Sequence, residues 1–204
     1  MEEILDLVAR LGPGRRIVAI VGAPGSGKST LAAQLVAGLA DAVLVPMDGF
    51  HLDNRLLEAG GLRGCKGAPE TFDAAGFVAL VRRLKAGGEV IHPVFDRGLD
   101  LAIAGAGRVG ADDRLVVVEG NYLLLDRAPW RELAGLWDLS VMLDVSMPEL
   151  RRRLTARWQG LGRSPAEVTA HLENDLGNAD LVLRESLPAD LLVRPAAMSS
   201  AGTP

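Results

Sequence analysis

The sequence is poor in cysteine and in long apolar runs, and each scarcity excludes a class of protein. The single cysteine, Cys65, cannot build a disulfide framework, which indicates a reducing compartment. No apolar run approaches the ~20 residues that a membrane span requires, and the acidic N-terminus MEEILDLVAR is unlike a signal peptide. These features predict a cytoplasmic protein with no membrane partner.

Aromatic residues and excess positive charge are also scarce, which argues against nucleic acid as a partner. Only 4% of the residues are aromatic, so the sequence offers no platform on which bases would stack. The net charge of -4 disfavours binding through a phosphate backbone. With 204 residues, 49% hydrophobic and 24% charged, the chain has an ordinary globular composition that suits one domain.

Short apolar segments alternate with helical patterns along the chain. Buried strands are predicted in RRIVAIVG, AVLVPM, RLVVVEG and DLSVMLDV, and helices in residues 29–40, 73–86, 147–158 and 165–176. This alternation is typical of a three-layer α/β fold with a mainly parallel sheet and helices on both faces.

The remaining segments carry weaker patterns. Pro93 places the predicted strand VIHPVF at an edge or a bend, and the Gly/Ala-rich LDLAIAGAGRVGADD predicts a loop or hairpin. LVLRES and DLLVRP predict one or two last strands. The small polar residues of 196–204 predict a flexible tail, so that residues 1–195 would form a single domain.

The segment GAPGSGKST has the spacing of a phosphate-binding loop, G-x-x-x-x-G-K-[ST]. Its glycines let backbone N–H groups converge on an anion at the start of a helix. Lys28 can reach the β- and γ-phosphates, and the Ser29 hydroxyl can bind Mg²⁺. The sequence therefore predicts that the chain binds a nucleoside triphosphate, with Mg²⁺ as cofactor. The predicted nucleotide-binding residues are Gly22, Ala23, Pro24, Gly25, Ser26, Gly27, Lys28, Ser29 and Thr30.

Carboxylates follow two of the predicted strands. Asp48 follows the second strand in VPMDGFHLDN, and Glu119 ends RLVVVEG. Ligands collect at the carboxyl edge of a parallel sheet, so we expect both near the phosphate loop. Asp48 would take the proton of an attacking hydroxyl, and Glu119 would hold the Mg²⁺ hydration shell or orient a nucleophile. The alternatives are a turn cap for Asp48 and a surface charge for Glu119.

A basic segment, RRRLTARWQGLGRS, predicts a small lid at about residues 151–164. Arg153 and Arg157 are four residues apart and share a helix face, and Arg163 lies in the following loop. Transferred phosphoryl groups require planar cations on their oxygens, which a lid would supply. The alternative is a solvated stripe that pairs with Glu149 or Glu167.

Six features occur in the order seen in a known group of kinases: GAPGSGKST, MDGFH, KGAPETFD, PVFD, VVVEGNYLL and the Arg-rich helix. Over roughly residues 15–185 the chain resembles the phosphoribulokinase, uridine kinase and type I pantothenate kinase group. Within it, the chain is most similar to short bacterial proteins called fructose-transport-system kinases or nucleoside/nucleotide kinase family proteins. The resemblance implies phosphotransfer from ATP to an alcohol, with Asp48 as base and Glu119 near Mg²⁺.

The resemblance also bears on the residues around the two substrates. Asp73 matches the position where uridine kinases hold sugar hydroxyls, although it equally suits a helix N-cap, and Asn178 matches a position near the adenine. His51, Asp96 and Arg97 are candidates for the wall of the acceptor site. Lys66 and Glu70 are interpreted as acceptor contacts or as loop charges, with loop charges favoured, and Cys65 as non-catalytic. The tryptophans are assigned to packing: Trp130, Trp137 and Trp158.

Together these features predict an ATP-dependent kinase that phosphorylates a hydroxyl of a sugar or sugar-like alcohol, with a fructose-type acceptor favoured by the resemblance. A nucleoside or pantothenate kinase is the first alternative, and a regulatory ATP-binding protein with little transferase activity is the second. No guanine-reading N-K-x-D occurs, which disfavours a GTPase switch. The acceptor, the choice between ATP and GTP, and the oligomeric state, including a homodimer, stay open.

Overall fold

A parallel sheet of five strands organises the chain in this computed structural model, which describes residues 1–194. The strand order is β2-β5-β1-β6-β7, and a second sheet contains the antiparallel pair β3-β4. The strands are β1 (Arg16–Gly22), β2 (Ala42–Pro46), β3 (Val90–Asp96), β4 (Leu101–Val109), β5 (Leu115–Gly120), β6 (Leu139–Leu143) and β7 (Leu191–Val193). The tail predicted for 196–204 lies outside the described residues.

Helices cover both faces of the five-stranded sheet, which confirms the predicted three-layer α/β fold. Alternate residues of β1 explain why its sequence is apolar throughout: Val18 and Ile20 enter one core, and Ile17, Ala19 and Val21 enter the other. The helices are α1 (Glu2–Ala9), α2 (Lys28–Ala37), α3 (Asn54–Ala59), α4 (Ala74–Ala86), α5 (Met147–Gly160) and α6 (Pro165–Glu185). None of those in residues 1–194 is long and apolar enough to cross a membrane.

The β3-β4 hairpin agrees with the two predictions made for its segments. The register shifts between His92 and Val94, so the bend falls at Pro93, which has no backbone N–H to donate. The hairpin packs on the short 3₁₀ helix Met47–Phe50 that follows β2. There a Cβ on Gly49 would lie 2.4 Å from the carbonyl oxygen of Pro93. Gly49 thus allows the hairpin to approach the turn that carries Asp48.

Near the C-terminus one prediction was right and one was wrong. DLLVRP contains β7, which pairs in parallel with β6. LVLRES does not form a strand, because residues 181–185 are the last turns of α6. Helix α6 begins with a capping box between Ser164 and Glu167, and its buried residues keep a helical spacing up to Val182. The helical spacing continues into LVLRES, an apolar segment that is too short for its sequence alone to distinguish a strand from a helix.

The segment predicted as a lid coincides with most of α5 and the turn before α6. Leu150 and Leu154 of α5 are fully buried against Leu176 and Ala179 of α6, together with Ala23 of the phosphate loop. The arginine-bearing helix is therefore packed against the same loop that would hold the phosphates. Whether it moves as a lid stays a prediction.

Two glycine-to-alanine variants should change stability in opposite directions. Gly49→Ala forces a Cβ against the Pro93 backbone, so we expect it to lower the free energy of unfolding by about 1–3 kcal/mol. Gly177→Ala adds a Cβ to an exposed helical position with nothing within 4 Å, so this variant should raise the free energy of unfolding by about 0.5–1 kcal/mol. Urea unfolding measures both, and a neutral Gly49→Ala would contradict the close approach.

Candidate active site

The phosphate loop joins the end of β1 to the start of α2. Gly25 and Gly27 have φ values of 79° and 96°, in the left-handed region that favours glycine. A Cβ on Gly22 would lie 2.6 Å from the Oγ atom of Ser26, so this position is also restricted to glycine by space. The loop thereby turns its backbone towards the start of α2, where the helix dipole favours an anion.

A cavity of about 700 Å³ opens beside this loop. Six residues of the predicted loop line it: Pro24, Gly25, Gly27, Lys28, Ser29 and Thr30. Gly22, Ala23 and Ser26 are buried and do not line it. Residues predicted from four other segments also line the cavity: Asp48, His51, Arg97, Arg153, Arg157 and Asn178.

Glu119 lies below the cavity, between the ends of the strands that carry the loop and Asp48. In the sheet register it is paired with Ile20 of β1 on one side and with Pro46 of β2 on the other. It is only 5% exposed, so the surface-charge alternative is excluded. Burial raises the pKa of Glu119, Lys28 opposes this rise, and Asp48 adds to it.

The surroundings of Glu119 fit a magnesium ion held mainly through water and phosphate. The Oε2 atom of Glu119 is buried and has no hydrogen-bond partner among residues 1–194. Within residues 1–194 no group of three or more His, Cys, Asp and Glu side chains could hold a metal by itself. Mg²⁺ in kinases needs no such group, because it keeps several waters and is bound by one or two side chains and by substrate phosphates. Ser29 and Glu119 match that minimal set.

Asp48 forms an ion pair with Arg97, which follows β3. The Nη2 atom of Arg97 lies 2.7 Å from Oδ2 of Asp48, and both side chains line the cavity. The hairpin thereby orients the carboxylate that the sequence identified as a base. Arg97 is 63% exposed at its side chain, which leaves room for another molecule beside the pair.

His51 contributes a neutral ring to the same wall. It stacks on Phe72 with ring centroids 4.0 Å apart, and burial lowers the pKa of His51 to about 4 although Asp48 opposes the effect. The ring is therefore uncharged at neutral pH. Its Nδ1 atom is buried without a hydrogen-bond partner in the part of the chain that the structure describes.

Two other carboxylates predicted for the acceptor site do not line the cavity. Asp73 is the N-cap of α4, where its Oδ1 accepts a hydrogen bond from the Gly76 N–H at 2.8 Å, and it lines a separate cavity of about 500 Å³. Asp96 accepts a hydrogen bond from the Leu99 N–H at 2.9 Å. Asp73 thus has the helix-cap role that the sequence allowed, and its contact with sugar hydroxyls stays a prediction.

The arginines of α5 and of the loop that follows it divide between the two alternatives that the sequence left open. Arg153 pairs with Glu149, yet its Nη1 atom also donates to the carbonyl oxygen of Ser26 at 3.0 Å, so it holds the phosphate loop. Arg157 lines the cavity and lies over the ring of Trp158. Arg163 does not line the cavity and pairs with Glu167, as the stripe alternative expects.

One polar face of α6 was missed in the sequence. His171, Asn174, Asp175 and Asn178 all line the cavity, and their spacing of i, i+3, i+4 and i+7 places them on one side of a helix. Only Asn178 was singled out from the sequence. The same spacing would have identified the other three once α6 was known to continue beyond residue 176.

Trp158 corrects the assignment of all three tryptophans to packing. It lines the cavity, stacks on His171 with centroids 4.1 Å apart, and donates from Nε1 to Asp175 at 2.8 Å. Lys66, interpreted as a loop charge, also lines the cavity and pairs with Asp100 at 2.7 Å. By contrast, Trp130 is buried in the core.

A phosphate loop, a carboxylate across the cavity from it and arginines beside it are the parts with which P-loop kinases position a phosphoryl group. Residues 17–182 match the model of the Phosphoribulokinase / Uridine kinase family, and the chain belongs to that family. Its members are kinases that transfer phosphate to hydroxyl acceptors, and the chain is a P-loop kinase, a class that uses ATP as co-substrate.

Relatives of the chain include proteins of similar length. It is 39% identical to the Escherichia coli K12 protein YggC, described as uncharacterized, over 93% of this chain and 82% of that one. It is 32% identical to a Schizosaccharomyces pombe protein provisionally named uridine kinase, over 88% of this chain and 83% of that one. A crystal structure from Silicibacter sp. TM1040, provisionally named fructose transport system kinase, has 49% identity and a TM-score of 0.87, covering 94% and 96% of the two chains.

Replacing Glu119 should separate its effect on stability from its effect on nucleotide binding. Burial disfavours the charged carboxylate, so Glu119→Gln should raise the unfolding midpoint of the nucleotide-free protein by about 2–4 °C at pH 7.5. Because the pKa is raised, the gain should shrink as the pH falls towards the ordinary glutamate value. The Mg²⁺-dependent part of ATP affinity should fall about 10-fold or more.

Thermal unfolding at pH 7.5 and pH 4.5, with and without Mg²⁺ and ATP, measures these effects. Glu58→Gln is the matched control, because Glu58 is exposed on α3 and should change neither quantity. A Glu119→Gln protein that is less stable than the parent at pH 7.5 would contradict the account.

Proposed function

We propose that the protein transfers the γ-phosphate of ATP to a hydroxyl group of a sugar or sugar-like alcohol, with Asp48 as the base. The name of the Silicibacter relative favours a fructose-type acceptor. The observation that carries the proposal is that Asp48 and the phosphate-loop residues Lys28 and Ser29 line one cavity. A protein that only sensed ATP would not require a carboxylate at that position.

Asp48 would accept the proton of the attacking hydroxyl at one of its carboxylate oxygens. The ion pair with Arg97 supports this role, since an adjacent cation keeps a carboxylate ionised and fixes its direction. An acceptor hydroxyl bound beside this pair would attack the γ-phosphorus from the side opposite to ADP. His51 and Phe72 would form an apolar wall of the acceptor site.

The phosphate side of the reaction would depend on groups that carry positive charge or N–H dipoles. Lys28, Arg157 and the backbone of the loop would stabilise the charge of the transferred phosphoryl group. When bound, Mg²⁺ would supply further charge neutralisation, held by Ser29 directly and by Glu119 through water. Arg153 would act on the loop rather than on the substrate, because it hydrogen-bonds the Ser26 carbonyl.

The nucleotide base would lie at the end of the cavity formed by α5 and α6. Trp158 and His171 offer stacked rings there, and Asn178 offers an amide that can donate and accept. These groups support binding of a purine without deciding between ATP and GTP. A cytoplasmic location, the absence of a nucleic-acid partner and a homodimer stay predictions from the sequence.

The substitution Asp48→Asn tests the role of the base directly. It keeps the shape of the side chain but removes its ability to take a proton, so we expect turnover to fall roughly 10²–10⁴-fold while ATP affinity is retained. ADP release from ATP and Mg²⁺ across sugars, nucleosides and pantothenate measures turnover, and calorimetry measures ATP binding.

Asp53→Asn is the matched control for this substitution. Asp53 caps α3 and does not line the cavity, and asparagine caps helices equally well, so its turnover should be unchanged. Full turnover of the Asp48→Asn protein would remove Asp48 from the mechanism. Tight ATP binding without ADP release on any acceptor by the parent protein would favour a regulatory ATP-binding protein.

A further inference from the structure

We propose that the acceptor carries a carboxylate or phosphate group beside its reacting hydroxyl, and that Arg63, Lys66 and Arg97 form the site that selects it. The inference rests on the proposed function and narrows its substrate class from alcohols in general to anionic hydroxy compounds. It follows from the charges at the acceptor end of the cavity, meaning the part lined by Asp48, His51, Arg63, Lys66, Phe72 and Arg97.

Basic side chains outnumber acidic ones at this end. Among the described residues that line it, three carry cations and one, Asp48, is a carboxylate. The nearest further carboxylate is Asp100, which contacts both Lys66, at 2.7 Å, and Arg63, at 3.2 Å. One carboxylate shared by two cations leaves a positive charge without a counterion.

The position of Lys66 is fixed by the surrounding chain. Its ammonium group donates to Oδ1 of Asn54 and to Oδ1 of Asp100, both at 2.7 Å, and its side chain is only 13% exposed. Arg63 is less constrained, since within residues 1–194 it forms one ion pair, with Asp100, and nearly half of its side chain is exposed. Lys66 therefore places a positive charge at a fixed position, and Arg63 supplies N–H donors that a bound anion can reach.

Proton transfer would increase the excess of positive charge. In the proposed step the acceptor oxygen bonds to the γ-phosphorus, the bond to the ADP oxygen breaks, and the hydroxyl proton goes to Asp48. Asp48 then no longer neutralises Arg97, its partner at 2.7 Å. An anionic group on the acceptor next to Arg97 would compensate this charge throughout the reaction.

Of the six residues that define the acceptor end, only Asp48 has side-chain oxygens that could hold a neutral polyol, whereas Asn121, Asn174, Asp175 and Asn178 line the cavity outside that set. Several sugar hydroxyls require carboxylate or amide oxygens as acceptors of their hydrogen bonds. Asp73 and Asp96, which could have served, are a helix cap and a turn residue outside this cavity. What remains at the acceptor end is mainly donors, which suit an acceptor molecule rich in lone pairs and negative charge.

Pairs of compounds that differ mainly in charge test the inference. The pairs are D-fructose 6-phosphate with D-fructose for the phosphate source, and D-gluconate with D-sorbitol and pantothenate with panthenol for the carboxylate source. Each compound is titrated by calorimetry into the full chain loaded with Mg²⁺ and a non-hydrolysable ATP analogue. We expect the anion of at least one pair to bind 10-fold or more tightly than its neutral counterpart, with affinity that falls as salt is raised.

The variant Arg63→Gln should reduce that anion's affinity about 10-fold and leave the affinity of its neutral counterpart unchanged. Arg55→Gln is the matched control, because this substitution removes the same charge from the exposed surface of α3, outside the cavity. The assignment of Arg63 would be overturned if Arg63→Gln lowered the affinities for the anion and for the neutral compound equally. It would also be overturned if both variants lowered the affinity for the anion equally.

Binding and ADP release, measured on the same panel, distinguish failure of the inference from failure of the proposed function. If no anion binds more tightly than its neutral counterpart, the inference is wrong, even where a neutral sugar is phosphorylated and the kinase function stands. If an anion binds tightly but none of the compounds supports ADP release, the anion site is supported and the proposed phosphotransfer fails.

Discussion

The parallel register of β1, β5 and β2 is the constraint on which the rest of the site depends. It pairs Glu119 with Ile20 on one side and with Pro46 on the other, so three strands end at the same edge. The phosphate loop leaves the first of these strands, and the turn with Asp48 leaves the last. A shift of one residue in either pairing would move Glu119 to the other face of the sheet and separate it from Lys28.

Several features at this edge weaken the fold or restrict its sequence, and they are explained by the chemistry. A buried Glu119 carboxylate with an unpartnered oxygen is unfavourable in a protein without ligands, yet it suits a cation that arrives with ATP. Gly49 has no side chain to bury, but it lets the hairpin reach Asp48 with Arg97. The acceptor end keeps an excess of positive charge, which is repulsive until an anion is bound. Stability is lower where function requires unpaired charge.

Local patterns in the sequence identified the elements of this fold, whereas contacts between distant segments could not be read from them. The phosphate loop has a fixed spacing of residues, and strands buried on both faces are apolar whatever surrounds them, so both were predicted. LVLRES was misassigned because a short apolar run fits a strand or a helix equally well, and the packing of α6 decided it. The pairing of Arg63 with Asp100 joins residues 37 positions apart, and the stacking of Trp158 on His171 joins two helices. For Asp73 the sequence allowed two roles, and only the direction of its side chain favours the helix cap.

A crystal structure with Mg²⁺, a non-hydrolysable ATP analogue and a bound acceptor tests the central claim most directly. The account predicts that the γ-phosphate lies against the backbone of residues 25–29, with the acceptor oxygen within about 3 Å of the Asp48 carboxylate and opposite the leaving oxygen. A structure in which the γ-phosphate occupies the loop while Asp48 points away from it, with no acceptor atom between them, would contradict the account.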